Sequence, residues 1–311
     1  MSVKSRDNRS ISEKLIYIKK RKFLYILLIP VLVYFIIFYY LPIWGIAMAF
    51  QDYNPIKGLF GSSWVGLKHF EDIFHGRDIW RLLRNTVLIN TYSLVFAFPM
   101  PIIFALMLNE VRNMRFKKLV QTVTYMPHFL STVVVVGMVF AVLSPSTGFV
   151  NNVIAKLGGD PIYFVTKPEY FRTIFIASGI WQRTGWESII YLAAITSIDP
   201  ALYEAAEIDG ARKMQQIFHV TLPSIASTIV FMFIMAIGKL LNIEFEKIYL
   251  MATAPVKDVA YVISVYVYEK GIIGGSYGLS TAIGLFNSII SMILVITANK
   301  LSHKFINMGL W

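Results

Sequence analysis

The sequence predicts an all-α protein, a polytopic membrane bundle of six transmembrane helices forming one domain. Three observations lead there. Of 311 residues, 56% are hydrophobic and only 15% are charged, whereas soluble domains average about 45–50% and about 25%. The apolar residues fall into runs long enough to cross hydrocarbon, for which roughly 20 residues suffice. The charges sit between those runs. The net charge of +11 therefore reads as lipid-headgroup contact and topology determination rather than as a nucleic-acid face. With no cysteine in the chain, disulfides, thiolate metal sites and thiol catalysis are excluded.

The runs follow in order. Residues 1–22 form a basic leader to the first span, with Lys14, Lys19, Lys20, Arg21 and Lys22 clustered at its end. Phe23 to Leu41 is free of charge. Its apolar core exceeds the 7–15 residues of a signal peptide, so it reads as an uncleaved anchor although Ala47-Met48-Ala49 follows it. Val87 to Leu108 is the second run, and Leu119 to Leu143, with His128 its one ionisable group, is the third. Thr173 to Ile198 carries Arg183 and Glu187, Ser224 to Asn242 carries Lys239, and Leu279 to Asn299 carries no charge. Pro30, Pro99, Pro101 and Pro127 lie within runs and read as kinks whose freed carbonyls neighbouring helices satisfy. Residues 300–311 form a short tail. Between the first two runs, Trp64, Phe70, Phe74 and Trp80 alternate with charge and predict short interfacial helices.

Lys and Arg set the orientation. With the N-terminus inside, the inner segments hold 16 basic residues in 69 positions and the outer segments hold 11 in 110. The denser side faces the cytoplasm, so both termini are expected there.

The inner segment 199–223 has the clearest local code. Asp199 suits an N-cap and Pro200 the first helical position, where a missing N–H costs nothing. Ala201, Leu202, Ala205, Ala206 and Ile208 form a small apolar face. Gly210 allows the positive φ that ends a helix, and Ala211 to Val220 repeats Met214, Ile217 and Phe218 at helical spacing. The segment predicts a helix–turn–helix with a face small enough for close insertion into a partner.

These residues resemble a known family. Glu204-Ala205-Ala206, three residues, Gly210, nine residues and Val220-Thr221-Leu222-Pro223 resemble the EAA loop of permease subunits in binding-protein-dependent ABC importers. Val220 stands where that pattern has Ile. Tyr53-Asn54-Pro55, Trp64-Val65-Gly66-Leu67 and Asn85-Thr86 look like the maltose-related carbohydrate-uptake permeases. The polybasic N-terminus and terminal Leu310-Trp311 look like the polysaccharide-type subgroup of Gram-positive bacteria. The resemblance implies the type I ABC importer permease fold in a bacterial cell membrane. It also implies a heterodimer with a second permease, two ATPase subunits, and an extracellular lipid-anchored solute-binding protein delivering sugar. On that basis Glu204, Ala205, Ala206, Asp209, Gly210, Leu222 and Pro223 would couple to the ATPase, which would hold ATP and Mg; no cofactor is expected in this chain.

Independently, no G-x-x-x-x-G-K-[ST] phosphate loop occurs, and Gly238-Lys239 lacks the flanking glycine and hydroxyl. No H-E-x-x-H, G-x-S-x-G or hydrolytic carboxylate pair points to an enzyme.

Charged groups inside spans are costly and mark pathways by default. Trp186 lies 13 residues before Asp199, and Lys239 lies 16 after Pro223. At 1.5 Å per residue these offsets put them about 20 and about 24 Å from the loop, at similar depth. Arg183, Glu187 and Lys239 are thus pathway candidates. By distance from the loop, the resemblance to the maltose permease implies an expected substrate pathway of Gln182, Arg183, Trp186 and Glu187 on the fourth span with Lys239 and Asn242 on the fifth. In the maltose permease the corresponding helices hold the sugar. The alternative is an Arg183–Glu187 pair neutralising itself at i, i+4 while Lys239 snorkels. Asn287, Ser288 and Ser291 read as helix packing. Arg183 and Lys239 point to an acidic oligosaccharide such as a uronate. A non-sugar importer permease and an ion-driven secondary transporter are the competing readings.

Overall fold

The computed structural model describes residues 20–76, 78–307 and 309–310. Most of the basic N-terminus (1–19) and Trp311 lie outside the described residues. The first element, α1 (Lys22–Phe50), is a continuous helical run whose apolar side chains are exposed from Phe23 through Trp44. That surface would be untenable in water and suits hydrocarbon or a second protein. Pro30 is accommodated inside it, and a π-turn at Ile36–Tyr40 and a 3-10 stretch at Leu41–Phe50 change its winding.

Beyond α1, β1 (Gln51–Asp52) pairs antiparallel with β2 (Ser63–Trp64) in the register Gln51 opposite Trp64. The short surface helix α2 (Lys68–His75) follows, as the aromatic interleaving predicts. His69 Nε2 meets the Gln51 carbonyl at 2.9 Å. Gly278 of the last helix permits this packing, since a Cβ there would collide with His69 and with the Gln51 and Met48 carbonyls.

The second span is α3 (Ile79–Glu110). Asn85 donates from Nδ2 to the carbonyls of Asp258 (2.7 Å) and Tyr261 (3.1 Å), and Thr86 Oγ1 accepts from the Ile263 amide (3.2 Å). The pair legible as a family signature is therefore what fastens α3 to residues 258–263.

The third run differs from its sequence expectation. Instead of one span over 119–143, α4 (Met114–Phe129) and α5 (Thr132–Leu143) meet at a 105° bend. Pro127 opens a 3-10 turn that ends α4, and Ser131 starts α5 by accepting the Val134 amide. Gly185 of the fourth span faces this corner, and a Cβ there would lie far inside contact with the Thr124 carbonyl. The loop after α5 contains α6 (Phe149–Lys156). Asn151 ties it down by donating to the Leu143, Ser144 and Ile162 carbonyls.

The fourth span, α7 (Pro168–Thr196), turns by 70° into α8 (Pro200–Ile208). The fifth run also breaks: α9 (Lys213–Ser224) turns by 64° at Ile225 into α10 (Ala226–Gly238), which ends four residues before the expected Asn242. Helix α11 (Phe245–Met251) and shorter turns lead to α12 (Tyr277–Ile306), the sixth span. Counting each bent pair as one crossing gives six spans, the predicted number. Most of the chain is helical, with one two-stranded ribbon among the described residues.

Two apolar clusters hold the bundle. One, at the loop end, joins Ile102 and Ala105 of α3, Tyr191 and Ile195 of α7, and Ile225. The larger one lies at the opposite end and includes Ile248, Met251, Val256, Ala260, Val262, Ile263 and Val265. Residues 243–278, expected as an outer segment, thus supply much of the core there.

Candidate functional site: a docking hairpin and a charged cavity

The hairpin follows the local code closely. Asp199 Oδ1 accepts from the Ala201 amide at 3.0 Å, capping α8. Gly210 has φ 78°, and the Ala211 amide reaches back to the Ala206 carbonyl at 2.8 Å, closing the αL turn. Tyr203 Oη and Thr221 Oγ1 lie 3.0 Å apart, bracing α8 on the start of the fifth run. Gln216 is buried between the two helices, and Lys213 lies 3.9 Å from both Glu207 and Glu110. What remains outward is a mixed surface. Glu204, Ala205, Asp209 and Gly210 are exposed, with Leu202 and Ile208, the latter at 87%. Ala206 is half-buried against the hairpin itself, and Leu222 and Pro223 sit at its base, where α9 ends. Leu202, Ala205 and Ile208, three residues apart along the capped, braced helix, leave an exposed apolar stripe on it.

The second feature is a cavity of about 280 Å³ between α3, α7, α10 and the turn after α10. Four of the six expected pathway residues line it: Arg183 and Glu187 from α7, Lys239 and Asn242 from the turn. Lys239 is not inside a span as expected; it is the C-cap of α10, where Gly238 and the residues to Asn242 form successive turns. Asn90 of α3 fixes that turn, donating from Nδ2 to the Leu240 carbonyl at 2.7 Å. Gln182 is buried and lies outside the lining. Trp186 is also outside it, its ring stacked on His128 at 4.6 Å and 2° and edge-on to Phe129 at 5.3 Å. The physical reason is helical: Trp186 lies about 100° around α7 from its neighbour Glu187, which lines the cavity, and faces His128 and Phe129 at the α4–α5 corner. Ring-on-sugar stacking by Trp186 is not what this arrangement offers.

The Arg183–Glu187 pair exists but is loose, at 4.0 Å, and Arg183 is shared with Glu244 at 3.5 Å. Glu244 precedes α11 without capping it; its carboxylate turns to Arg183 instead. Sequence reasoning missed Glu244 because it lies in a stretch that reads as loop.

Lys247, also missed, is 1% exposed. Its Nζ donates to the Phe175 carbonyl at 3.4 Å and stands 5.0 Å over the Phe175 ring. Burial, with the nearby Arg183 cation, lowers its pKa to about 8, against a smaller upward pull from Glu244. Asn287 is buried, and among the described residues its Oδ1 and Ser291 Oγ have no hydrogen-bond partner. Among the described residues no group of three His, Asp or Glu is placed to hold a metal.

A bundle of six apolar crossings, a capped hairpin projecting from one end and a charged cavity between crossings define a membrane translocation subunit. Known proteins agree. The family described as binding-protein-dependent transport system inner membrane component matches residues 97–305. The polygalacturonan/rhamnogalacturonan transport system permease protein YteP of Bacillus subtilis is 46% identical over 96% of this chain and 92% of its own. Protein LplB of the same organism is 45% identical over 94% and 92%. A crystal structure of a bacterial alginate ABC transporter, in complex with alginate pentasaccharide-bound periplasmic protein, contains a chain 43% identical to this one. The two superpose with a TM-score of 0.87 over 94% of this chain and 98% of that one. The chain belongs to the family of binding-protein-dependent transport system inner membrane components, the permease subunits of ABC importers.

Proposed function

We propose that this chain is the passive translocation subunit of an ATP-driven importer of acidic oligosaccharides. The observation that carries it is the hairpin 199–223: capped, braced from behind, and bare on the face bearing Leu202, Ala205 and Ile208. An apolar face held rigid on a polar hairpin is the form a docking helix takes, because burial of that face against a partner supplies binding while the brace transmits displacement. The partner is a pair of ATPase subunits that bind ATP and Mg. This chain, lacking a phosphate loop, supplies no catalysis. Glu204, Ala205, Ala206, Asp209, Gly210, Leu222 and Pro223 form the coupling element.

The hairpin end and both termini face the cytoplasm, a reading supported by the higher density of Lys and Arg on that side. A second, homologous permease covers the remaining apolar surface of the bundle. A lipid-anchored binding protein delivers the solute at the other face. The relatives named for polygalacturonan, rhamnogalacturonan and alginate support a uronate-bearing substrate, and a cavity lined by Arg183 and Lys239 suits one.

The test is reconstitution. The complete assembly with its ATPase and binding protein, in liposomes, should take up a uronate oligosaccharide only with ATP. Glu204→Lys with Gly210→Pro should abolish uptake while the assembly's membrane components still fold. ATP-independent uptake by this chain alone would overturn the reading in favour of a secondary transporter.

A further inference from the structure

The charges around the cavity do not balance: cations outnumber carboxylates by one, and one of the cations, Lys247, is almost fully buried. Arg183, Lys239 and Lys247 are the cations; Glu187 and Glu244 are the anions. Arg183 is contacted by both glutamates, yet neither contact has the length and direction of a hydrogen bond, so the guanidinium fork has no committed acceptor. Lys247 is nearly fully buried, and among the described residues no carboxylate lies within 4.0 Å of its Nζ. Its contacts are one long hydrogen bond to a carbonyl and the face of an aromatic ring, which leave two of three donors unused. A buried ammonium with so little compensation is costly to keep.

Gly179 explains how the two cations coexist. It lines the cavity on α7, and a Cβ placed there would stand 3.2 Å from Arg183 Nη2 and 3.5 Å from Lys247 Nζ. Both cationic groups therefore converge on the space over one residue without a side chain. A methyl group there would stand in contact with Lys247 Nζ and crowd Arg183 Nη2 by a few tenths of an ångström. Glu244, three residues before Lys247, meets Arg183 at Nη1, 3.5 Å away, and Glu187 lies on Nε; among the described residues no carboxylate pairs with Nη2, the nitrogen beside Gly179.

We infer that Arg183 and Lys247, converging over Gly179, form a subsite that receives a carboxylate of the translocating solute, and that Lys247 is a residue selecting anionic over neutral saccharides. The solute's carboxylate exchanges with Glu244 on the guanidinium and takes up the free donors of Lys247. Arg183 supplies a planar fork to the carboxylate; Lys247 supplies a fixed positive charge from a nearly buried position beside the space over Gly179, where a charge acts more strongly than at a surface. The inference rests on the oligosaccharide-importer reading and specifies which solutes that importer accepts.

The experiment uses the complete assembly with its ATPase and binding protein in liposomes. Uptake is compared for an oligogalacturonate and for the same oligomer with its carboxyls reduced to alcohols, each presented at concentrations that saturate the binding protein. Lys247→Gln should lower initial uptake of the uronate about tenfold, the scale of one lost charge-assisted hydrogen bond, and change uptake of the reduced oligomer less than twofold. Lys247→Arg should restore most of the difference. If Lys247→Gln fails to assemble, Gly179→Ala keeps the cation and interposes a methyl group; it should lower the uronate-to-neutral ratio in the same direction. Equal losses for both oligomers, or no loss for either, would overturn the subsite. Wild-type uptake confined to the neutral oligomer would sink it together with the acidic-solute part of the proposed function, while leaving the ATP-driven oligosaccharide importer intact; wild-type uptake of neither would take down both.

Discussion

The hairpin 199–223 and the charged cavity differ in how they are built. Apart from the Lys213–Glu110 contact, the devices that shape the hairpin act within its own stretch of sequence. Asp199 caps the helix that Pro200 opens, Gly210 turns the chain it terminates, and Tyr203 braces against Thr221, 18 residues on. The cavity is assembled across the chain: Asn90 holds the 239–242 turn from 150 residues away, and Lys247 reaches a carbonyl 72 residues earlier. A surface meant for a partner can be encoded locally because its other half lies in another protein. A pathway for solute must be enclosed by several helices, so its residues are scattered.

That difference decides what the sequence revealed. Periodicity and run length gave six crossings, since hydrocarbon thickness is a constraint each run meets alone. The 105° corner between α4 and α5 was hidden because Pro127 and Ser131 have innocuous roles in a continuous span too, and the close approach of Gly185 to the Thr124 carbonyl beside the corner is a contact between elements distant in sequence. Arg183, Glu187 and Lys239 were singled out by the cost of charge inside an apolar run, and Asn242 by its distance from the loop under the family resemblance. Glu244 and Lys247 were not, because they follow the run and carry the ordinary charge of a loop. Nothing local says that 243–267 folds back into the core. Trp186 shows the converse failure: the right depth on the wrong side of the helix.

The contrast can be broken first at Gly185. If the cavity region depends on close long-range packing, Gly185→Leu should be the most damaging change, because its side chain must displace backbone rather than a mobile side chain. A cost of about 3 kcal/mol or more is expected, at the upper end for overpacking, seen as loss of monodisperse protein in detergent. Retention of a normal melting temperature would mean that the corner moves freely.

Gly210→Pro should match that cost locally and spare the bundle. Proline fixes φ near −65° where the chain needs 78°, and removes the amide that donates to Glu207 at 3.0 Å; about 3 kcal/mol is typical of such a conflict. The melting temperature should hold while ATPase coupling is lost. A fall in both would tie the hairpin to the core more tightly than its contacts indicate.

Lys247 sharpens the comparison through pH. Its folded-state pKa of about 8 lies below the unfolded value of 10.5, so between those values the unfolded chain binds the extra proton. Stability from this group therefore rises as pH climbs through that window and is flat below it. Lys247→Met should raise stability near pH 7 by roughly 1–3 kcal/mol, and the gain over wild type should shrink toward pH 10. A gain that is independent of pH would assign the effect to packing.

The smallest effect belongs to the hairpin's cap. Asp199→Ala removes one acceptor from the first turn of α8, and loss of an N-cap typically costs about 1 kcal/mol. Pro200 already supplies a helical φ and leaves one fewer amide to satisfy, so the helix should fray rather than unfold. Amide exchange at Ala201 and Leu202 should quicken roughly fivefold, the factor that about 1 kcal/mol sets. Exchange at Ile208 to Gly210, held by the αL turn, should stay as it was, and uptake should fall less than with Gly210→Pro. If instead the whole of 200–208 exchanged together, α8 would be a single cooperative unit held by the partner rather than by its own caps. The local code would then describe how the helix starts, and docking would decide whether it persists.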